Sequence, residues 1–505
     1  MKKFFYALSL LLAAIIVIQL SGCANPFASP GTKLLGQAQK LERKTEYIKA
    51  YDAYLKAAKN LRQEGKAGKV YQCREAITRV GNIKLSYPLT EDEARKVMKE
   101  TIPGITDRRI DEIIRDGRLP HLKFGNQTYY FDGLTNTATH IYSDLHGKQT
   151  AGALGKSTHF FNIMSRYIYE KDTARPGQTL VNPINYLARG QVILKRKDFP
   201  KSGLLKVWLP LPLTTAAQTN VRILSIYPRK YVKYPLKLDG DIGLAYLEIP
   251  LEEVKADLKI GIKLTFTHYE ERYRVDPEKI GEYDKKSWLY QRYTASDKNI
   301  AVTPAIRARA RKLAGKETNP LKIAKIFFDH IIWDLDYSFL PHGAISAMDI
   351  PESVYVDEHG YGDCGAQSMY FAALCRARGI PARAPGGYQL FPISETGCGT
   401  HFWAQIYLPN YGWFPVDTSA GQIARYMPQL TDKQQHDFAN YYFGRMDPFR
   451  YLIQKDVDIE LIPKPDGPLV FPMVLQTPTA VCAEMDENPG MPIMDNWKLT
   501  VRQVN

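Results

Sequence analysis

From Gly362 to Arg383 the chain reads Gly-Asp-Cys-Gly-Ala-Gln-Ser-Met-Tyr-Phe-Ala-Ala-Leu-Cys-Arg-Ala-Arg-Gly-Ile-Pro-Ala-Arg. This stretch leaves little choice of structure. Asp363 is a good N-cap, because a short carboxylate can accept from the unpaired amides of a first helical turn. Gly379 and Pro381 supply the stop. Between them lie good helix formers, and Tyr370, Phe371, Leu374 and Cys375 fall on one apolar face, so the spacing predicts a buried helix. Cys364 then sits in its first turn, at the positive end of the helix dipole. That setting favours the thiolate, which is the nucleophilic form. A nucleophile so placed needs a base.

The base is predicted downstream. Thr400–Leu408 reads as a strand, and by alternation His401, Trp403, Gln405 and Tyr407 share a face. After a turn at Asn410-Tyr411-Gly412, a second strand runs from Trp413 to Asp417. Such a hairpin sets His401 and Asp417 side by side, and the cysteine helix packed across it completes a triad. His401 would remove the thiol proton, and Asp417 would fix the histidine tautomer and stabilise the imidazolium. Each residue has a plainer reading. A lone cysteine in an apolar helix is usually core, as Cys73, Cys375 and Cys482 are read here. A lone strand histidine is usually structural, and Asp417 suits a turn or cap. The joint occurrence of Cys364, His401 and Asp417 in this order and context is the stronger signal.

The set resembles the bacterial transglutaminase-like superfamily, with its papain-like fold. The matching phrases are Gly362-Asp363-Cys364, Cys375–Arg383, His401-Phe402-Trp403 and Gly412–Asp417. Upstream, Val207-Trp208-Leu209-Pro210-Leu211-Pro212 is similar to the β-rich segment that precedes the catalytic domain in bacterial members. Tyr442–Pro448 and Asp458–Pro463 are similar to their tails. The resemblance implies Cys364, His401 and Asp417 as catalytic residues acting on amide bonds of a protein or peptide substrate through a thioester. Water resolving it makes a hydrolase, and a lysine amine makes a transglutaminase. It does not imply a metal, and no cofactor is expected. For the oxyanion it suggests the Cys364 N–H with an upstream side chain, Tyr337 as candidate and Trp333 as alternative. Ala366 and Gln405 stand where many members carry an acid. The alternative function is a catalytically silent envelope scaffold or peptide-binding protein.

The N-terminus bears on the partner. Met-Lys-Lys is followed by the apolar run Phe4–Leu20, the pattern of a secretory signal. Leu20-Ser21-Gly22-Cys23 then resembles the lipobox of bacterial lipoproteins, which implies cleavage before Cys23 and a lipid on its sulfur. An uncleaved signal anchor is the other reading. Both export the chain and place it in the cell envelope, lipid-anchored on the outer side of the cytoplasmic membrane, or at the outer membrane if there are two. A net charge of +14 over 505 residues contains no long basic run. That spread suits an anionic surface, and export removes nucleic acid as the partner. An exported chain with six cysteines can form disulfides, but spacing does not pair them.

The rest of the chain is predicted as α+β: a papain-like transglutaminase-core domain preceded by a β-sandwich-like domain and an α-helical N-terminal region. Residues 1–22 are the signal peptide and 23–33 a tether. Residues 34–88 form a helical hairpin, with a single tetratricopeptide-like repeat as the alternative. In 89–134, Thr90 and Glu93 have capping-box spacing, Thr106 caps a second helix, and Gly125-Asn126 turns a hairpin. This resembles winged-helix DNA-binding units, but in an exported chain a protein partner for 34–134 is the expectation. Residues 135–187 connect to a β-rich domain at 188–275, a catalytic domain at 276–430 and an extension at 431–505 packed on it.

Overall fold

The computed structural model describes residues 28–146, 151–169, 177–390, 398–427 and 429–504. The expected signal peptide and Cys23 lie outside the described residues. The chain is a mixture of helices and sheets. It opens with three helices, α1 (Pro30–Arg43), α2 (Tyr47–Gln63) and α3 (Ala67–Ser86). The expected hairpin supplies α2 and α3. The additional α1 begins inside the expected tether, with Pro30 in its first turn. Its Leu35 and Ala38 close an apolar cluster over Tyr54, Leu61, Cys73 and Ile77, a face that two helices would leave open.

Next come β1 (Leu89–Thr90), α4 (Glu91–Thr101), α5 (Asp107–Asp116), β2 (His121–Phe124) and β3 (Gln127–Tyr130). Thr90 and Glu93 form the expected capping box, and Gly117 ends α5 in the left-handed conformation at φ 72°. The segment after it, expected as a connection, carries α6 (Leu134–Ile141) and α7 (Ala151–Tyr169).

The β-rich region holds β4 (Leu180–Leu194), β5 (Leu204–Pro210), β6 (Gln218–Tyr227), β7 (Leu244–Pro250) and β8 (Leu258–Arg272). The helices α8 (Trp288–Thr294), α9 (Pro304–Ala314) and α10 (Pro320–Asp334) follow, then β9 (Asp336–Tyr337), α11 (His342–Ala347), α12 (Glu352–His359) and β10 (Tyr361–Gly362). Thr303 and Asn319 cap α9 and α10 through their side chains, each just before a proline. Then come α13 (Cys364–Ala377), β11 (Ala382–Arg383), β12 (Gly386–Leu390), β13 (Cys398–Phe402), β14 (Ala404–Leu408), β15 (Gly412–Val416) and α14 (Thr418–Gln422). The tail supplies α15 (Asp432–Tyr441), β16 (Arg445–Met446), β17 (Arg450–Gln454), β18 (Thr479–Cys482), α16 (Gly490–Asn496) and β19 (Lys498–Val504).

The tail is woven through the molecule. Strand β17 pairs with β12 in the sheet β13-β12-β17, whereas β18 and β19 complete two sheets of the β-rich region. Those sheets, β18-β5-β7 and β16-β8-β4-β19 with β6 on β8, turn Val207 and Leu247, and Val192 and Leu264, into one buried core. The same cluster continues through Phe327, Phe371 and Tyr451. The region is therefore closed by residues more than 200 positions away in sequence, which local pattern cannot reveal.

One predicted strand is corrected. Thr400–Leu408 is not continuous: β13 lies in the sheet of β12 and β17, and β14 lies in β11-β14-β15. The chain changes sheets at Trp403, which is buried and donates its amide to the Pro385 carbonyl at 3.2 Å. Each half finds its own antiparallel partners, so strict alternation across the break does not hold.

Candidate active site

Helix α13 starts where the pattern requires. One oxygen of Asp363 accepts from the amides of Gly365 and Ala366 at 3.0 and 3.1 Å. Tyr370, Phe371, Leu374 and Cys375 are fully or nearly fully buried, so the helix is held on several sides. Cys364 is half-buried and lines a cavity of about 610 Å³. The wall is mostly apolar. Phe402 and Met369 stand beside the cysteine, Phe131 comes from the N-terminal module, and Phe471 and Met473 come from the tail.

The residues around Cys364 are gathered from both neighbouring sheets. The Phe402 amide points to the Cys364 sulfur, which places the thiol against β13 one residue beyond His401. His401 Nε2 meets Asp417 Oδ2 at 2.8 Å. Asp417 follows β15, is completely buried and caps α14 through the Ala420 amide at 2.9 Å. With Nε2 engaged, Nδ1 is the ring nitrogen that can take a proton from a thiol.

Asp417 has a second cation. Arg450 Nη1 lies 2.7 Å from Asp417 Oδ2, and Arg450 Nη2 lies 2.6 Å from Asp447 Oδ2, with all three side chains fully buried. Burial alone would raise the Asp417 carboxyl, but His401 and Arg450 hold it well below the usual carboxylate range. Asp417 is therefore an anion that stays an anion, as an orienter of histidine requires. Sequence reasoning missed Arg450. Its signal was weak, since it lies just past the tail phrase that ends at Pro448.

The expected thiolate is corrected. Burial pushes the Cys364 thiol above its ordinary value, and the Asp363 and Asp417 carboxylates push the same way against the Phe402 and Gly365 amides. The reason lies in the cap. The Gly365 and Ala366 amides at the start of α13 already serve the Asp363 carboxylate, whose negative charge offsets the helix dipole at the sulfur. A proton acceptor is needed to make this thiol reactive.

A further histidine, absent from the sequence reading, completes the surroundings. His342 lines the same cavity. Its Nδ1 lies 2.8 Å from Glu352 Oε1 and its Nε2 lies 2.5 Å from Asp363 Oδ2. Carboxylates only accept, so a ring that bonds both must donate from both nitrogens and is an imidazolium. Desolvation opposes that charge, but Asp363 and Glu352 hold His342 well above the usual imidazole range. Its place at the first position of the short helix α11, just after Pro341, carried no pattern to single it out.

The other candidates separate. Tyr337 lines the cavity with Cys364, whereas Trp333 packs against His436 with ring centres 4.7 Å apart. Gln405 accepts from Arg383 Nε at 2.8 Å, and Ala366 is buried in α13, so neither faces the cavity as an acid would. Cys73, Cys375 and Cys482 are buried, Cys398 belongs to β13, and all five described cysteines are unbridged. Among the described residues no group of three or more His, Cys, Asp or Glu side chains is arranged to hold a metal ion.

Comparison with known proteins gives a domain assignment. Residues 307–418 match the model of the transglutaminase-like superfamily. A protein of Haemophilus influenzae, named only as uncharacterized, is 27% identical over 294 residues, which is 52% of this chain and 77% of its own length. The uncharacterized protein YebA of Bacillus subtilis is 25% identical over 191 residues, 34% of this chain and 25% of YebA. Among solved structures, a Cytophaga hutchinsonii protein described provisionally as a cysteine protease is 12% identical, with a TM-score of 0.41, covering 65% of this chain and 92% of its own.

Proposed function

We propose that this chain, a bacterial transglutaminase-like superfamily member through residues 307–418, is a cysteine-dependent enzyme that opens amide bonds of proteins or peptides in the cell envelope. The observation that supports it best is the 2.8 Å contact of His401 Nε2 with Asp417, one residue from the strand position whose amide touches the Cys364 sulfur. The catalytic residues in this reading are Cys364, His401 and Asp417. Arg450 is a positioning residue that holds Asp417. Envelope localisation, with a lipid on Cys23, follows from the N-terminal pattern.

The chemistry begins with a neutral thiol. As the Cys364 sulfur attacks the amide carbonyl, its proton passes to His401 Nδ1, and Asp417 stabilises the imidazolium. The C–S bond forms and the carbonyl oxygen becomes an oxyanion. The Cys364 N–H lies outside the Asp363 cap, which takes Gly365 and Ala366, and in this reading it stabilises the oxyanion together with Tyr337, which lines the same cavity. Collapse breaks the C–N bond, and the leaving ammonia or amine takes the proton from His401. A thioester remains. Water or a lysine amine then gives a proton to His401 and attacks, and the thiol returns with that proton. The mostly apolar cavity wall suits this sequence, because it limits the contact of the thioester with water.

The test is mass spectrometry of a glutamine-peptide mixture with a lysine analogue, wild type against Cys364→Ala. Deamidated, cleaved or cross-linked peptides present only with wild type support the reading and tell its branches apart. Identical spectra for the two proteins, with peptides retained on both, favour a silent peptide-binding protein instead.

A further inference from the structure

Among the described residues, the sheet β6-β8-β4-β19 buries one face and leaves the other half-exposed to exposed. On β4, Ala188, Val192 and Leu194 point inward while Arg189, Gln191 and Ile193 point out. The outer face continues with Lys259, Lys263 and Thr265 on β8, Lys498, Thr500 and Arg502 on β19, and Arg222, Leu224 and Tyr227 on β6. Six of these residues are basic and none is acidic. Across the strands, Lys263 stands directly opposite Arg189, and Arg189 opposite Thr500. None of the six basic side chains forms an ion pair among the described residues, although at the rim Lys195 is paired with Asp257. Like charges placed directly opposite one another on a sheet are unfavourable unless something neutralises them.

Two further observations say what that something is. Ile193, Leu224 and Tyr227 are 51%, 52% and 52% exposed on this same face, and Lys259 reaches over the Tyr227 ring at 5.9 Å. Exposed aliphatic and aromatic groups among lysines and arginines are the composition of a surface that lies in a bilayer interface. A cleft of about 330 Å³ lined by Leu187, Arg189, Thr500 and Arg502 sits between β4 and β19. Two guanidinium groups beside a hydroxyl fit the phosphate of a lipid headgroup. A nucleic acid would use the charge but not the aliphatic groups.

We propose that this sheet face docks the protein on an anionic phospholipid bilayer, with Arg189 and Arg502 taking headgroup phosphate and Ile193, Leu224 and Tyr227 entering the interface. Docking does not depend on the catalytic reading. It adds to any N-terminal anchor a dependence on lipid charge that an acyl chain alone lacks.

The test is flotation of the full chain with vesicles of phosphatidylcholine alone or with phosphatidylglycerol added. Wild type binds the anionic vesicles at least about tenfold better at low salt, and the preference fades when salt screens the charges. The triple variant R189Q/K263Q/R502Q binds anionic vesicles roughly a hundredfold more weakly and phosphatidylcholine vesicles as wild type does. R189K/K263R/R502K keeps the preference for anionic lipid. I193S/L224S/Y227S weakens binding by a factor that salt does not alter. All these positions face solvent, and a melting curve checks each variant. Equal affinity of wild type for the two vesicles, undiminished binding by the glutamine variant, or tighter binding to a DNA duplex at matched phosphate overturns the proposal.

Discussion

Two histidines stand near the start of α13, and they differ in how many carboxylates hold them. His401 has one, Asp417 on Nε2, so Nδ1 keeps a lone pair for a proton. His342 has two, Glu352 on Nδ1 and Asp363 on Nε2, so both nitrogens are donors and no lone pair is left. The first arrangement leaves a nitrogen free for the base role proposed for His401; the second leaves none. The pairing is not redundant. Asp363 caps α13 and pushes the Cys364 thiol up, and His342 neutralises part of that charge. The number of acceptors around an imidazole, more than its distance from a thiol, decides what it can do.

The comparison breaks if the two histidines can be exchanged in effect. His401→Gln is expected to slow alkylation of Cys364 by iodoacetamide near neutral pH by roughly 10²–10⁴-fold. His342→Gln is expected to slow it by about tenfold or less, because it changes the field at the thiol and not the proton acceptor. Peptide mapping of the labelled protein gives both rates and distinguishes Cys364 from Cys398. Equal losses would show that His342 takes the proton as well.

Asp417→Asn comes next. The amide cannot hold the imidazolium, and it presents His401 with a choice of tautomer, so a loss of about 10²-fold or more in Cys364 alkylation is expected. The variant also leaves Arg450 with Asp447 alone. Removing one member of a buried ionic cluster costs about 3–5 kcal/mol, so a melting curve must accompany the rate. A stable variant with an unchanged rate would remove Asp417 from the triad.

For His342→Gln the pH profile carries more than the rate. His342 is raised in the folded protein, so its contribution to stability is fully present below the ordinary histidine value near 6.5. It is lost as pH rises through the higher folded value. Wild type should therefore lose stability on the alkaline side by a step that the variant lacks. With Asp363 and Glu352 no longer neutralised, Cys364 alkylation should need a higher pH. A variant whose melting and alkylation profiles overlay those of wild type would show that His342 carries no charge.

Much of this site was legible in the sequence, and the reasons are local. Asp363, the apolar face of α13, and Gly379 with Pro381 lie on or directly beside one helix, so cap, face and stop could be read together. Asp417 was legible through the short turn at Asn410–Gly412 between β14 and β15, whereas His401 reaches it from β13, across the break at Trp403. What failed depended on the third dimension. Trp403 looks like one more residue of a strand, yet it is where the chain passes between sheets. Arg450 reaches Asp417 from the tail, and His342 reaches Asp363 from the start of α11, and neither contact leaves a periodic trace. The thiolate expectation failed for a different reason. The helix dipole that favours a thiolate at Cys364 is offset because the Asp363 cap uses the same amides.

Burial that outweighs the nearby charges is the control for both histidine sites, and Glu271 provides it. It lies at the junction of β4, β8 and β16, opposite Leu180 and Met446. Burial raises its carboxyl to about 7, with Arg383 and Arg450 only partly opposing the shift. The folded protein therefore keeps this proton up to about pH 7, whereas the unfolded chain releases it near the ordinary value of 4.5. Between those values the folded state binds more protons, so stability falls as pH rises, by on the order of 3 kcal/mol across the window. Glu271→Gln should flatten that slope and exceed wild type in stability most clearly above pH 7. Its Cys364 alkylation rate should be unchanged, the smallest effect of the series. If the wild-type slope survives in the variant, another buried group supplies it. If the alkylation rate moves as well, the field of Arg383 and Arg450 reaches the thiol through Glu271, and the two histidines are not the only charges that set it.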